Sequence, residues 1–378
     1  MDFSLGEEHQ AIGDLARRIL EDQATPERLK EVEAAAAAGH GDGVDRRTWM
    51  ELAKANLLGV AFPEVSGGSG LGYLAACVVL HEVGRTVAPV PVLPAVVMAG
   101  LPIAEFGTAE QRDRVLPGLI AGERIATAAL IEPGTDPARP ATTAVAEAGG
   151  WRLEGAKVCV PAGMAADLIL VPARTGESSV GVFMVDAGAP GLSRTAERTT
   201  SGLPEARLEL AGVSAGAGDV LGGPDGGATV VEWLSERTTA AICVTMAGLC
   251  ETAVRLTAEY TKTREQFERP IASFQAVGQR AADAYIDAEA VRLTAWQAAW
   301  RLDAGMPAAA EVAVAKFWAA DGGQRVVHAA QHLHGGIGVD RDYPLHRYFL
   351  WAKLLELTLG GATASLLRLG GMLASEPV

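Results

Sequence analysis

Between Tyr260 and Val277 the chain reads YTKTREQFERPIASFQAV. This stretch sets a guanidinium (Arg264), an aromatic edge (Phe267) and a carboxamide (Gln275) around an interruption in a helical pattern. A guanidinium grips phosphate through two parallel hydrogen bonds, a ring stacks on a flat partner, and an amide reads a base or a hydroxyl. The set suits a planar, phosphorylated ligand. It also fits a plain helix–helix corner with a surface ion pair. Pro270 cannot continue a helix and Ser273 offers a cap to the next one, so a corner is expected, with one helix ending near Pro270 and another restarting after Ser273. A second group lies at His328, His332 and His334, followed by Gly335, Gly336 and Gly338. His328 and His332 share a helix face, but no carboxylate accompanies them at helical spacing, which points away from a metal. The glycines fit either a helix C-cap or a backbone that something approaches closely.

The elements that hold these groups follow from composition and periodicity. The 378 residues are 49% hydrophobic and 21% charged, enough apolar content to bury a core. The net charge of −14, with no basic stripe, argues against nucleic acid or an anionic membrane as partner. Cys77, Cys159, Cys243 and Cys250 have no metal-type spacing, and MDFSLGEEHQ lacks an apolar core of the signal-peptide kind, so the cytoplasm is the expected compartment. No apolar run of membrane-spanning length is apparent, so no span is expected. Residues 2–35 read as two amphipathic helices, Asp45 as the start of another, and 73–86 as a further one. From Arg124 the pattern switches to short β-rich runs punctuated by Gly, Pro, Asp and Ser. From Thr229 it is helical again over 229–262, 274–303, 307–334 and 343–374, lengths that suit a four-helix bundle. The predicted fold is α+β and multidomain: an N-terminal helical domain (1–123), a central β-barrel or sandwich domain (124–227) and a C-terminal four-helix bundle (228–378). No GxGxxG or GxxxxGK[ST] loop is present, which removes the usual nicotinamide and nucleoside-triphosphate readings.

The corner resembles the signature helix corner of the acyl-CoA dehydrogenase family, and HLHGGIGVDRDYPLHRY from His332 resembles that family's C-terminal glycine loop. MDFSLGEEHQAIGDLARRIL and FPEVSGGSGLGYLAACVVLHEVGR are similar to its opening helix and second conserved segment, so the likeness spans nearly the whole chain. The resemblance implies FAD as cofactor and an acyl-CoA thioester as substrate. It also implies an electron-transfer flavoprotein or similar acceptor, and an oligomer in which Arg264, Phe267, Gln275, His332, Gly335 and Gly336 hold the pyrophosphate–adenosine half of a FAD belonging to a neighbouring subunit. His332 stands where the family usually has glutamine.

The chain departs from the family at its chemistry. Removing an α-proton from a thioester needs a carboxylate within hydrogen-bond reach. The family places that glutamate where alignment puts Leu359, or alternatively Thr238, ten residues before the Gly of the AGL turn at Gly248. Neither can take a proton from carbon, so no catalytic residue is assigned in this chain. Glu356, one turn before Leu359, is the candidate for a displaced base, while Glu251 and Glu236 read as surface residues and Asp340 and Asp342 as caps. In the β-rich region IEPGTDPAR keeps Glu132, Pro133 and Gly134 but has Ile131 for the flavin-contacting threonine. There too, Cys159 replaces the tryptophan that covers the flavin, and Pro161, which has no N–H, replaces a threonine donor. This asymmetry is similar to the actinobacterial steroid side-chain branch of the family, built as α2β2 heterotetramers in which one chain lacks the base. The expected function is that base-lacking subunit, forming an α,β-unsaturated acyl-CoA together with a second acyl-CoA dehydrogenase-like chain. Alternatives are a homotetrameric flavoenzyme of this fold with altered chemistry and a non-catalytic structural or regulatory subunit.

Overall fold

The computed structural model describes residues 5–223 and 226–375. Positions 2–4 of the first expected helix, and 224–225 at the end of the β-rich region, lie outside that range. Helices come first: α1 (Glu7–Gln23), α2 (Pro26–Ala37), α3 (Arg46–Lys54) and α4 (Gly72–Thr86). A π-wound stretch, Leu93–Gly100, runs into α5 (Leu101–Phe106), and α6 (Ala109–Ile120) follows. Caps explain two of these starts. The Asp45 carboxylate accepts from the Thr48 hydroxyl at 2.6 Å, and Thr108 and Gln111 form a reciprocal capping box.

Strands then take over: β1 (Ala126–Ala128), β2 (Thr143–Glu147), β3 (Gly150–Pro161), β4 (Leu168–Arg174), β5 (Val180–Asp186), β6 (Leu192–Glu197), β7 (Glu205–Gly216) and β8 (Val220–Leu221). They form one sheet in the order β6-β7-β3-β2-β4-β5-β8, with β1 parallel to β4. β4 and β5 are buried at every residue but their last, which explains their unbroken apolar sequence. The β3–β7 ladder slips between Lys157 and Val160, a bulge that re-aims the end of β3.

The remainder is α7 (Gly227–Thr263), a two-strand ribbon of β9 (Glu265–Gln266) and β10 (Arg269–Pro270), α8 (Gln275–Asp303), α9 (Ala309–Phe317), α10 (Gly323–His334), α11 (Leu345–Leu357) and α12 (Ala362–Ser375). The helix expected over 307–334 is α9 and α10 joined through a π-wound turn, Trp318–Gly322. The helix expected over 343–374 is broken, because Leu359 (φ 57°) and Gly360 (φ 100°) are left-handed.

Contacts divide the chain into two compact units. One comprises Met1–Pro26, Cys77–Ala88 and Thr239–Val378; the other comprises Glu27–Ala76 and Pro89–Thr238. In the first unit, α4 and α7 cross at near backbone contact. A Cβ on Gly84 would lie 2.0 Å from the Thr245 carbonyl oxygen, and one on Gly248 2.0 Å from that of His81. Gly248 is therefore a mid-helix packing glycine; the AGL segment is not the turn expected from sequence. Beside this crossing, buried Glu82 is held by Arg17 at 3.2 Å and by Arg85 and His81. Burial alone would raise its pKa, but the bonds from His81 and Arg17 bring it below the usual carboxylate range.

The expectation about apolar runs is corrected. Gly227–Thr263 and Leu345–Ser375 are both long and apolar enough to cross a membrane by length and composition. In the first, 78% of the most apolar 18-residue window is buried, as in a core helix. The second is interrupted at Leu359–Gly360, leaving helices of 13 and 14 residues.

Candidate functional site

The corner is built by short-range backbone bonds. The Arg264 N–H donates to the Tyr260 carbonyl at 2.8 Å to close α7, and the Ile271 N–H returns to the Arg264 carbonyl at 2.8 Å. Arg269 pairs with Gln266 and Pro270 with Glu265, so Phe267-Glu268 is a two-residue hairpin turn. Both turn residues are left-handed, at φ 53° and 64°, positions normally given to Asn or Gly. Each such non-glycine residue costs roughly 1 kcal/mol, and strain of this kind collects at binding sites. Here it holds Phe267 out at 85% exposure, edge-on to Phe274, whose other neighbour is the Arg269 guanidinium at 4.1 Å from the ring centre. Gln275 opens α8 and is exposed. Ser273 is not the helix cap expected of it: its hydroxyl donates to the Pro270 carbonyl at 2.8 Å, and Phe274 occupies the cap position.

The glycine loop follows α10 in the same unit. His334 is buried, with Nδ1 2.8 Å from the Ala330 carbonyl and Nε2 3.1 Å from the Tyr343 hydroxyl, and it stacks on Tyr260 at 4.5 Å. Burial pushes its pKa down, against the bond to Ala330. Its role is to tie the loop to α7. His328 packs edge-on to Phe349, and His332 is exposed. Gly335 is left-handed (φ 65°), and no atom lies within 4 Å of a Cβ built on Gly335 or Gly336. Gly338 differs: a Cβ there would meet the Gln331 side chain at 2.9 Å. The first two glycines leave open backbone for a ligand, and the third is a packing glycine. Asp340 caps only its own turn, accepting from the Asp342 N–H, while Pro344 sits at the start of α11.

The strands of the other unit explain which family residues survive. Lys157 Nζ donates to the Glu132 carboxylate at 2.5 Å and to the Pro172 carbonyl at 2.7 Å, in a site where both side chains are nearly inaccessible. Glu132 also accepts from the Ala141 and Thr142 N–H groups, pinning the loop that follows β1. Burial works against the carboxylate, yet Lys157 holds its pKa below the usual range, while burial lowers that of Lys157. These retained residues are a structural staple. The replaced ones lie at the bulge. Cys159 is left-handed (φ 49°) with its N–H bonded to Glu197 at 2.7 Å, and the Pro161 carbonyl accepts from the buried Thr127 hydroxyl at 2.7 Å. With the Cys159 thiol beside the Glu197 and Glu205 carboxylates, this end of the sheet places negative charge where a flavin ring would gain it on accepting a hydride, whereas the corner presents an exposed guanidinium, ring and amide, and the glycine loop exposed backbone.

At the two base positions the structure offers no carboxylate. Thr238 on α7 is fully buried, and its hydroxyl has no hydrogen-bond partner among the described residues. Leu359 lines a cavity of about 30 Å³ with Thr239, Lys316, Ser365 and Arg368. Lys316, which sequence reasoning missed, is buried and donates to the Leu355 and Glu356 carbonyls at 2.6 and 3.2 Å, so it caps the end of α11 beside the break. Burial pushes its pKa down to about 8. Glu356 is committed to Lys353 at 2.8 Å, and Glu251 lies near His81 and Arg85.

Sequence profiles for the three domains of acyl-CoA dehydrogenases match this chain: the N-terminal domain over residues 6–123, the middle domain over 129–212 and the C-terminal domain over 225–371. The chain belongs to the acyl-CoA dehydrogenase family. Acyl-CoA dehydrogenase FadE27 of Mycobacterium tuberculosis is 42% identical over the full length of both chains. Among solved structures, a variant of the Tcur3481–Tcur3483 steroid ACAD is 47% identical with a TM-score of 0.91, covering 98% of this chain and 99% of its own. The ChsE4–ChsE5 complex of Mycobacterium tuberculosis is 43% identical with a TM-score of 0.93, covering all of both chains.

Proposed function

We propose that this chain is the base-lacking subunit of an FAD-dependent acyl-CoA dehydrogenase made of two unlike chains. The observation that carries this reading is the pair Leu359 and Thr238: neither family position for the base bears a group that can take an α-proton. The partner chain supplies the carboxylate. FAD, when bound, accepts the β-hydride that leaves a thioester as its α,β-unsaturated product. This chain contributes Arg264 toward the pyrophosphate, Phe267 and Gln275 toward the adenosine, and the open backbone at Gly335 and Gly336, with His332 at the rim. Two relatives of more than 40% identity carry names that join two components, one of them a steroid enzyme. A steroid or branched acyl-CoA is accordingly the proposed substrate class, and an electron-transfer flavoprotein or similar protein the proposed electron acceptor. Partner contact also suits the apolar side chains open to solvent on α8 (Tyr285, Ile286, Leu293, Trp300) and α12 (Leu366, Leu367, Leu373). Four free cysteines suit a cytoplasmic setting.

The test is expression of this chain alone and with a second acyl-CoA dehydrogenase-like chain, reading flavin absorbance, FAD-to-chain ratio and mass. A yellow heterotetramer with half-stoichiometric FAD, formed only with the partner, is expected. A yellow homotetramer that alone oxidises an acyl-CoA with an electron acceptor overturns the proposal, as does a two-chain complex that never binds FAD.

A further inference from the structure

Two glutamates and a thiol converge where the end of β3 meets the end of β6 and the start of β7. Glu197 and Glu205 stand directly opposite each other across the β6–β7 ladder, a pairing that like charges disfavour. The β3 bulge brings Cys159 beside them, and the Cys159 Sγ and one carboxylate oxygen from each glutamate lie within 4.8 Å of one another. The Cys159 N–H donates to Glu197 Oε2 at 2.7 Å, which fixes that carboxylate beside the bulge. Glu205 is 7% exposed and its carboxylate lies beside the Cys159 thiol; among the described residues no lysine or arginine pairs with it. A carboxylate so deeply buried normally has a counter-charge. Arg194 donates to the Gly163, Met164 and Ala166 carbonyls and Arg207 pairs with Glu209, while Arg198, next to Glu197 in sequence, is exposed and forms no ion pair with either carboxylate among the described residues.

We propose that Cys159, Glu197 and Glu205 form a site for a borderline divalent cation, Zn²⁺ by its affinity for one sulfur with two oxygens, completed by water. In tetrahedral zinc, bond lengths of about 2.0–2.3 Å place neighbouring ligand atoms roughly 3.3–3.8 Å apart, a contraction that side-chain rotation supplies. Binding replaces the S–H bond by a Zn–S bond, and the thiol proton, with any proton on Glu205, goes to solvent. The metal supplies the positive charge that the opposed glutamates lack. These strand positions are ones where the family resemblance puts flavin contacts, but the proposal does not rest on the two-chain reading, because all three ligands come from one sheet.

The test uses the full-length chain, with its partner chain if it requires one, stripped of metal and titrated with Co²⁺ and then Zn²⁺. One equivalent of Co²⁺ per chain is expected to give a thiolate-to-cobalt charge-transfer band that Zn²⁺ bleaches. Cys77, Cys243 and Cys250 are buried, so the band belongs to Cys159 and disappears in Cys159→Ser. Glu205→Gln removes the like-charge pair and is expected to fold while binding at least tenfold more weakly. Zn²⁺ should raise the melting temperature of the wild type and leave that of Glu205→Gln unchanged. No band, a band that persists in Cys159→Ser, or an equal Zn²⁺-induced melting shift in Glu205→Gln overturns the proposal.

Discussion

Glu132 and Lys157 survive from family motifs whose chemical members are gone, and their geometry explains the survival. Each is buried, so removing one partner strands a charge at low dielectric. Lys157→Met is expected to cost about 3–5 kcal/mol, read by chemical denaturation, because it leaves the buried Glu132 carboxylate without its counter-charge. The pair's pH dependence has a definite sign. The folded pKa of Glu132 is depressed, so its contribution is present above the unfolded carboxylate value and is lost as pH falls through the folded one. Lys316 behaves oppositely to a lysine that gains a partner carboxylate. Its folded pKa of about 8 lies below its ordinary 10.5, so between these values the unfolded chain binds more protons and stability rises with pH. Lys316→Met is expected to abolish that slope, worth about 2 kcal/mol between pH 8 and 10, in paired urea titrations of variant and wild type.

At the scale of elements, the break between α11 and α12 sits where the family carries its usual base, and an unfavourable residue occupies it. Leu359 adopts φ 57°, which a leucine resists and a glycine accepts freely. Leu359→Gly is therefore expected to be about 1 kcal/mol more stable than Leu359→Ala, which loses the same packing but keeps the strained Cβ, measured as a higher denaturation midpoint with unchanged slope. The apolar, helical pattern from Tyr343 onward masks this break, although Gly360-Gly361 marks it locally; what the sequence does not reveal is that Lys316, distant in the chain, bonds the last carbonyls of α11. The π-wound turn at Trp318–Gly322 has no local sequence signal; within it a Cβ on Gly322 would lie 3.1 Å from the Trp318 side chain and 3.3 Å from that of Val291. The corner at 264–275 was legible because Pro270 punctuates it locally. Its hairpin was not, since Phe267-Glu268 is a turn pair that propensity disfavours. Buried Glu205 carried no signal either; only the register of β6 against β7 sets it opposite Glu197.

For the molecule as a whole, the proposed division of labour makes a prediction that separates binding from assembly. If Arg264 grips the pyrophosphate of a FAD whose reactive end lies in another chain, Arg264→Ala removes a charge-assisted contact and nothing structural. The Arg264 side chain is exposed, and only its backbone groups bond within the corner. The two-chain complex should still assemble with unchanged mass, while its affinity for FAD falls about ten- to a hundredfold, the equivalent of one charged hydrogen-bonding contact. Flavin absorbance after gel filtration, followed by titration with added FAD, reads both quantities. Activity should return at high FAD, since the carboxylate and the acyl-CoA contacts would be untouched. Leu359→Glu in the same complex is the counterpart. Because this chain carries Cys159 and Pro161 at the positions that the family resemblance gives to ring-holding residues, a carboxylate at position 359 is expected to add neither a second bound FAD nor a faster turnover. A doubled FAD content in that variant would mean that this chain still holds a flavin ring of its own, and the half-site reading would fail at its root.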